Sequence, residues 1–517
     1  MSDLQSGHGV VKAKLGSSIT NVVASALFLL PLTVHSFATP AGNFIDLSFE
    51  ELANIQVTSV SKKAERLADA AASIFLITAE DIQQSGARSL PEVLRLAPNL
   101  QVAQTSASGY AISARGFNGS NSSAPNKLLV LIDGRSVYSP LFSGIFWDVQ
   151  DVMLEDVERI EVISGPAGTL WGVNAVNGVI NIITRSARDT QGNLAVIGAG
   201  NRENDLAWRF GGTLENGANY RVYGTYFDRH HLSKDDGTAV NDALHKGQIG
   251  FRADWQHAGT EWTVQGNAYD GAVEQPAPGS VATGTQFDLG TIPVSGVNLS
   301  GRWAQAMGDG SSISLQAYYD HTKRTVPPTF GEALNVVDLQ FQHSLLPIDI
   351  HTLAWGANYR YGMSRVDNSV YFAFLPADVN QKWSSIFARD EVALSDTLRL
   401  VLGGRVERNV YTGNEFLPSA RLAWKAAPDH LLWAAASRTV RAPSRLDRDA
   451  YVPGVPPFLL DGGRAVVSES ARVYEAGYRG QFGDRMTYSV TAFHTAYDHL
   501  RTQEVAPSGT YLIFSNG

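Results

Sequence analysis

The chain has 517 residues, 44% of them apolar and 18% charged, too hydrophobic for a disordered chain and long enough for two or more compact units. It contains no cysteine, which excludes disulfide scaffolds, thiol nucleophiles and thiolate metal sites, and its net charge of −9 argues against a nucleic-acid partner. No apolar run reaches about 18 residues, so a membrane-spanning helix is excluded and only a barrel could cross a bilayer.

In chain order, Lys12 and Lys14 precede an apolar run at 22–32, and Ser36-Phe37-Ala38 follows with small residues where a signal peptidase reads them. Residues 1–38 are expected to be a secretory signal cleaved after Ala38. From about 46 to 187, short apolar strands mix with short capped helices. Thr78-Ala79-Glu80-Asp81 and Ser89-Leu90-Pro91-Glu92 both place an acid three residues after a hydroxyl, the pattern of a capping box. Gly86 is placed to close the first helix in a left-handed conformation. The runs 74–77, 128–132, 160–163 and 179–184 read as buried strands. Together these form an α+β domain of roughly 125 residues, assigned to 63–188.

Past residue 190 the rhythm becomes strict alternation. Ile313, Leu315, Ala317 and Tyr319 share one face while Ser312, Ser314, Gln316 and Asp320 share the other. Ile249, Phe251, Ala253 and Trp255 alternate with Gln248, Arg252, Asp254 and Gln256 in the same way, as do stretches at 397–407 and 486–492. Period two over about ten residues fits barrel strands with lipid outside and water inside, and equally the strands of a soluble sandwich or propeller. Connection lengths separate these readings. Long gaps at 228–242, 271–293, 323–334, 362–380 and 437–468 alternate with short ones at 215–218, 258–260, 308–310, 344–347, 427–429 and 483–484. Short turns on one side and long loops on the other are the habit of an outer-membrane barrel. Two connections expected on the long side, 201–204 and 409–415, are short.

Over nearly its whole length the sequence resembles the TonB-dependent outer-membrane receptors. The resemblance is carried by IFLITAED at 74–81, SLPEVLRLAP at 89–98, ISARGF at 112–117, LVLIDG at 129–134, VERIEVISGP at 157–166 and LWGVNAVNGVINIIT at 170–184, in family order. In the second half, FARD at 387–390, LGGRVE at 402–407, PSARLAWK at 418–425, SRTVRAPS at 437–444 and YEAGYR at 474–479 look like the family's barrel strands. It implies a plug domain at 63–188 inside an antiparallel membrane β-barrel at 190–517, preceded by a signal peptide at 1–38 and an extension with a TonB box at 39–62. About 325 residues at roughly 20 to 22 per strand and connection make about 15 strands against the family's 22. The chain is therefore expected to be a C-terminally truncated form of a longer receptor.

The resemblance also assigns residues. Gln56, Val57, Thr58, Ser59 and Val60 resemble the TonB box, whose β character suits strand addition to a partner's sheet edge; an ordinary plug strand is the rival reading. Arg115, Gly116, Asp133, Gly134, Glu158, Arg159, Glu161, Gly165 and Pro166 match plug positions whose charges face the barrel wall. The family's basic residue before Gly-Pro is here Ser164, so one plug–barrel ion pair is expected to be missing. Phe142, Phe146 and Trp147 could line the floor of a substrate site, with packing as the alternative. His230 and His231, near Asp228 and Asp236, could touch a metal chelate or simply lie in a solvated loop.

No phosphate-binding loop, dinucleotide fingerprint, zinc-protease motif or other catalytic set is present, so no enzyme activity, cofactor or resident metal is assigned. The implied function is active transport of a scarce nutrient, a ferric siderophore first, with cobalamin, haem, a copper chelate or a carbohydrate as alternatives. The implied partners are TonB with its inner-membrane motor complex, a metal chelate or similar small molecule, and outer-membrane lipid. A passive porin would need an open lumen, which a plug denies; an adhesin is the remaining reading of another class.

Overall fold

A computed structural model describes residues 55–63, 65–116, 126–276, 279–281, 284–482 and 486–517. The expected signal peptide, most of the extension at 39–62, and Phe117 of the ISARGF motif lie outside the described residues.

The N-terminal domain is built on a five-stranded mixed sheet in the order Ile74–Thr78, Val157–Ser164, Gly178–Thr184, Leu128–Ile132, Arg135–Ser136. Its strands are apolar on both faces because helices cover one side and chain segments the other; Leu128–Ile132 is buried throughout. One face packs Ile77, Leu90, Leu94, Ile112, Val130, Ile160 and Ile180 into the main core, and the other packs Val57, Leu129, Leu131, Ile163 and Val179. The helix Ala79–Ser85 starts on the expected capping box, with the Thr78 hydroxyl and Asp81 carboxylate exchanging backbone donors, and ends on Gly86 at φ 68°. The second expected box does not form. Leu90–Val93 begins without a side-chain cap from Ser89, because Pro91 offers no N–H and Glu92 instead accepts from Tyr110 and Arg95.

From Gly192 onward the chain forms a sheet of 15 strands, each antiparallel to the next, running from Gly192–Ala199 to Met486–Asp498. The strand count agrees with the expectation of about 15. Within this sheet the first and last strands each have a single neighbour. The alternation read from the sequence is the real partition of faces. Ile249, Leu299, Leu339, Ile386, Leu402 and Val490 point outward and are exposed, while Gln248, Arg252, Gln316, Asp320 and Arg405 point inward onto the N-terminal domain. A tryptophan row marks the short-turn end: Trp255 stacks on Trp262 at 5.8 Å, Trp262 meets Trp303 at 6.3 Å, and Phe341 meets Trp355 at 5.2 Å. An apolar outer band edged by aromatics is the surface a bilayer requires.

One expected long connection is corrected. Strands Ser312–Val326 and Phe330–Ser344 are so long that only 327–329 join them, because both continue pairing into residues the spacing had assigned to a loop. At this same long-loop end, parts of two long connections and the segment after the last wall strand assemble a second five-stranded sheet in the order Ala373–Phe374, Ala450–Val452, Leu460–Asp461, Leu512–Asn516, Arg501–Val505. Its pieces are two to five residues long and carry no period that a sequence scan could find.

Leu299 lies mid-strand on the outer face and is 49% exposed. Leu299→Arg is expected to lower stability in bilayers by about 2–4 kcal/mol, the cost of a cation near the membrane midplane. Urea unfolding of the protein in lipid vesicles checks this, with the inward neighbour change Ser300→Arg as a comparison.

Candidate functional site

The N-terminal domain sits against the inward face of the sheet through a seam of paired charges. Arg115 pairs with Glu475, Arg209 and Arg221 both reach Asp156, Lys246 pairs with Asp151, and Lys127 meets Glu469 at 2.5 Å. Arg135 holds Asp320 at 2.7 Å and Arg324 holds Asp148 at 2.5 Å while stacking over the Phe146 ring. Two glycines make the close approach possible. A Cβ on Gly165, at φ 139°, would stand 2.7 Å from Arg115 and 2.8 Å from Glu475. Asp133 and Gly134, at φ 48° and 80°, form the two-residue hairpin turn between Leu128–Ile132 and Arg135–Ser136, and both positive angles demand such residues. That turn presses on the wall: Gln316 donates to the Asp133 carbonyl at 2.8 Å, Gln340 to the Gly134 carbonyl, and Gln265 to the Asp133 carboxylate.

The seam is uneven around the domain. Beside strands Gly413–Ala427 and His430–Arg441 it is tight, with Asn174 N–H donating to the Val440 carbonyl at 2.7 Å and Val173, Leu417 and Val440 packed together. Beside the strands from Leu244 to Ala393 it opens into a cavity of about 1030 Å³, bordered by Lys62, Arg252, Gln265, Asp320, Arg360 and Trp383.

Residues 55–72 lie along the short-turn end of the lumen. Gln56–Val57 pairs with Glu65–Arg66, and between them the chain turns. The buried Glu161 carboxylate accepts from the N–H groups of Thr58 and Ser59, at 3.0 and 2.7 Å, and from the Thr58 hydroxyl. Trp171 donates to the Ser59 carbonyl at 2.9 Å and Asn181 to the Ser59 hydroxyl at 3.0 Å. Lys62, at φ 53°, places its ammonium 4.7 Å from the Trp171 ring and 4.8 Å from the Phe387 ring of the wall. Burial first, and the nearby Arg405 second, lower its amine to about 7 against the pull of Asp338. Burial also pushes the Glu65 carboxyl up, despite Arg389.

Two family models match the chain: one described as TonB dependent receptor-like, beta-barrel, over residues 174–517, and one described as TonB-dependent Receptor Plug Domain, over 66–179. The chain belongs to the TonB-dependent receptors. Among similar proteins, the Vitamin B12 transporter BtuB of Vibrio vulnificus is 25% identical over 91% of this chain and 75% of its own. The iron-regulated outer membrane virulence protein of Vibrio cholerae is 26% identical over 87% of this chain and 70% of its own. Among solved structures, a ferric enterobactin receptor (PfeA) mutant from Pseudomonas aeruginosa superposes with a TM-score of 0.70 at 18% identity, covering 86% of this chain and 76% of that one. The siderophore receptor PirA from Acinetobacter baumannii gives 0.69 at 17%, with the same coverage. The N-terminal domain is therefore the plug and the large sheet the barrel wall of such a receptor.

Several sequence assignments move once the plug is seen in place. Arg115, Asp133 and Gly134 do face the wall, and Gly165 makes room for one of the pairs. Glu161 does not: it turns inward to hold Thr58 and Ser59, while Glu158 and Arg159, paired with each other, border the cavity between plug and wall. From Ile160 onward the strand Val157–Ser164 is buried inside the plug sheet, so the Glu161 charge is spent on the segment lying over it. At Ser164 the backbone carbonyl accepts from Arg115 at 2.7 Å. Gly116 follows Arg115 in a positive-φ turn. Trp147 is buried in the plug core, while the Phe142 and Phe146 rings meet at a tilt 4.6 Å apart beside Phe374 and Ala450 of the outer sheet, and Phe146 borders the cavity. His230 is bound to Asn204 and the Asn201 carbonyl, His231 faces its own loop, and no metal-holding cluster occurs among the described residues. Gln56 to Val60 is extended only at Gln56–Val57, because Glu161 captures the next two N–H groups and bends the chain.

The residues the sequence reading missed are inward-facing wall cations such as Arg209, Lys246 and Arg324 and their plug acids Asp148, Asp151 and Asp156. Their only signal was a basic residue on the polar face of an alternating strand. Arg441, Asp447, Glu469 and Arg501 form a further buried cluster joining wall, plug and outer sheet, with Arg441 to Asp447 at 2.7 Å and Arg501 to Asp447 at 2.6 Å.

Two predictions follow from this geometry. Arg115→Met or Glu475→Gln alone, each leaving a buried charge without its partner, is expected to destabilise plug docking by about 3–5 kcal/mol, and the double change by markedly less. Denaturant midpoints read by limited proteolysis of the plug measure the cycle. Lys62 is lowered in the docked state, so its charged form disfavours docking; that penalty is full below pH 7 and fades as pH rises toward its ordinary value of 10.5. A nitroxide on Gln56→Cys is expected to become less mobile from pH 6 to pH 9, and Lys62→Met to flatten the profile.

Proposed function

We propose that the receptor is an active transporter that carries a ferric siderophore across the outer membrane, reached through export by the signal at 1–38. Substrate held by the outer connections and the plug apex is taken inward when TonB, driven by its inner-membrane motor, draws on residues 56–60. The observation that carries this reading is the charged seam itself. A plug held by ion pairs and amide contacts exchanges them for water when it shifts, whereas an apolar seam of similar area would have to be torn open. The cavity beside strands Leu244 to Ala393 is the side on which a modest displacement of 56–66 would open the lumen.

A cobalamin cargo is the second reading, favoured by the 25% identity to a vitamin B12 transporter over 91% of this chain. Growth of a receptor-dependent strain under iron limitation on ferric catecholate or hydroxamate chelates, set beside growth on cobalamin, separates the two.

The coupling assignment has its own test. Val57 is fully buried in the strand Gln56–Val57. Val57→Pro removes a backbone donor from that strand and is expected to abolish uptake while leaving surface binding of the same chelate unchanged. Uptake at the unmodified rate would show that 56–60 is not the coupling segment, and loss of binding would show that the substitution unfolds the plug.

A further inference from the structure

The first described residues of the plug fall into two parts that are held in different ways. Residues 56–66 are held mostly from within the plug, by Glu161, Trp171 and Asn181, and meet the wall at two places: Lys62, whose carbonyl accepts from Gln342 at 3.0 Å and whose ammonium lies on Phe387, and Glu65, whose carboxylate feels Arg389, Arg421 and Arg479. Residues 67–72 are held by the wall itself. Arg479, from the inward face of strand Glu469–Phe482, donates to the carbonyls of Leu67, Ala70 and Ala72, the last two at 2.8 and 3.0 Å. Arg399 reaches the Asp69 carbonyl and Lys425 the Asp69 carboxylate at 3.2 Å. Ala71 is buried with Ala423, Leu431 and Trp433 of the wall.

We propose that Arg479 is a positioning residue that clamps 67–72 to the barrel wall and so fixes where a pull on the coupling segment stops. The inference rests on reading 56–60 as that segment, though the clamp itself is a property of the geometry. Arg479 is unlike the seam cations because its ligands are three backbone carbonyls on a single turn of chain. A planar guanidinium with five donors can hold all three at once, which an ammonium cannot do with the same geometry. Carbonyl ligands also persist whatever side chains do, so the clamp yields only when the turn Leu67–Asp69 itself unwinds. Upstream, the hairpin Gln56–Val57 with Glu65–Arg66 is a two-residue ladder that peels one pair at a time. Downstream of the clamp lies the strand Ile74–Thr78, the edge of the plug sheet. Without the clamp, tension would pass directly into that edge strand.

The test is single-molecule force spectroscopy on the receptor in a supported bilayer, with the handle attached through Gln56→Cys, the sole thiol in a chain that otherwise has none. The first release is expected to free residues 56–66, about 40 Å of contour at about 3.5 Å per residue, followed by a second, separate barrier. Arg479→Gln is expected to lose the second barrier and lengthen the first release to about 60 Å or more, into residue 74 and beyond. Arg479→Lys, a milder change kept in case the glutamine variant fails to fold, is expected to lower the second barrier without removing the first. A single release through residue 78 in the parent protein, or unaltered traces in both variants, would overturn the proposal. Because the handle pulls on residue 56 directly, the outcome is independent of uptake, which alone decides whether 56–60 is the coupling segment.

Discussion

The charges on the inner wall of this barrel are answered partly by neighbours on the wall, as Arg360 by Asp338 and Arg405 by Glu407, and partly by the domain it encloses. The lumen is lined by arginines and lysines on strands whose other face must meet lipid, and a buried guanidinium or ammonium without a partner is costly enough to undo much of a domain's stability. Asp148, Asp151, Asp156 and the carbonyls of 67–72 supply the answers from the plug, and Arg115, Arg135 and Lys127 reach acids on the wall in return. The plug is thereby positioned by directional, exchangeable contacts rather than by apolar fusion with the wall.

The seam is not uniform, and its asymmetry gives the lumen two sides. Along Gly413–Ala427 and His430–Arg441 the plug is joined by backbone hydrogen bonds and apolar packing, while across from them a cavity separates it from the wall. The fixed side and the open side meet at the short-turn end, where residues 55–72 run. Here the Glu161 carboxylate, buried in the plug sheet, serves as the dock for the Thr58 and Ser59 N–H groups. Glu161, which the resemblance matches to the wall, therefore acts on Thr58 and Ser59 instead.

At the other end, the small outer sheet draws pieces of several connections over the plug apex, and the cluster of Arg441, Asp447, Glu469 and Arg501 ties it to the wall. Lys127 of the plug shares Glu469 with that cluster, so the outer layer and the plug apex are joined through common charges.

The sequence alone determined the two-part architecture, the strand-by-strand partition of lipid and lumen faces, the strand count, the first helix with both of its caps, and the family. Those features depend on local period, on capping chemistry within four residues, and on motifs spelled out in order. The wall contacts of Arg115 and Asp133 came from the family resemblance and not from any local pattern of their own. Only the tertiary structure decided the rest. Glu161 looks like a wall residue until its part of the strand is seen to be interior, and only the packing shows Trp147 to be buried in the plug core. The partners of Lys246, Arg324 and Arg479 stand between about 95 and 412 positions away in the chain. A charge on an alternating strand announces that it faces the lumen, but which carboxylate or carbonyl meets it is set by how the plug is turned inside the barrel, and no local pattern encodes that rotation.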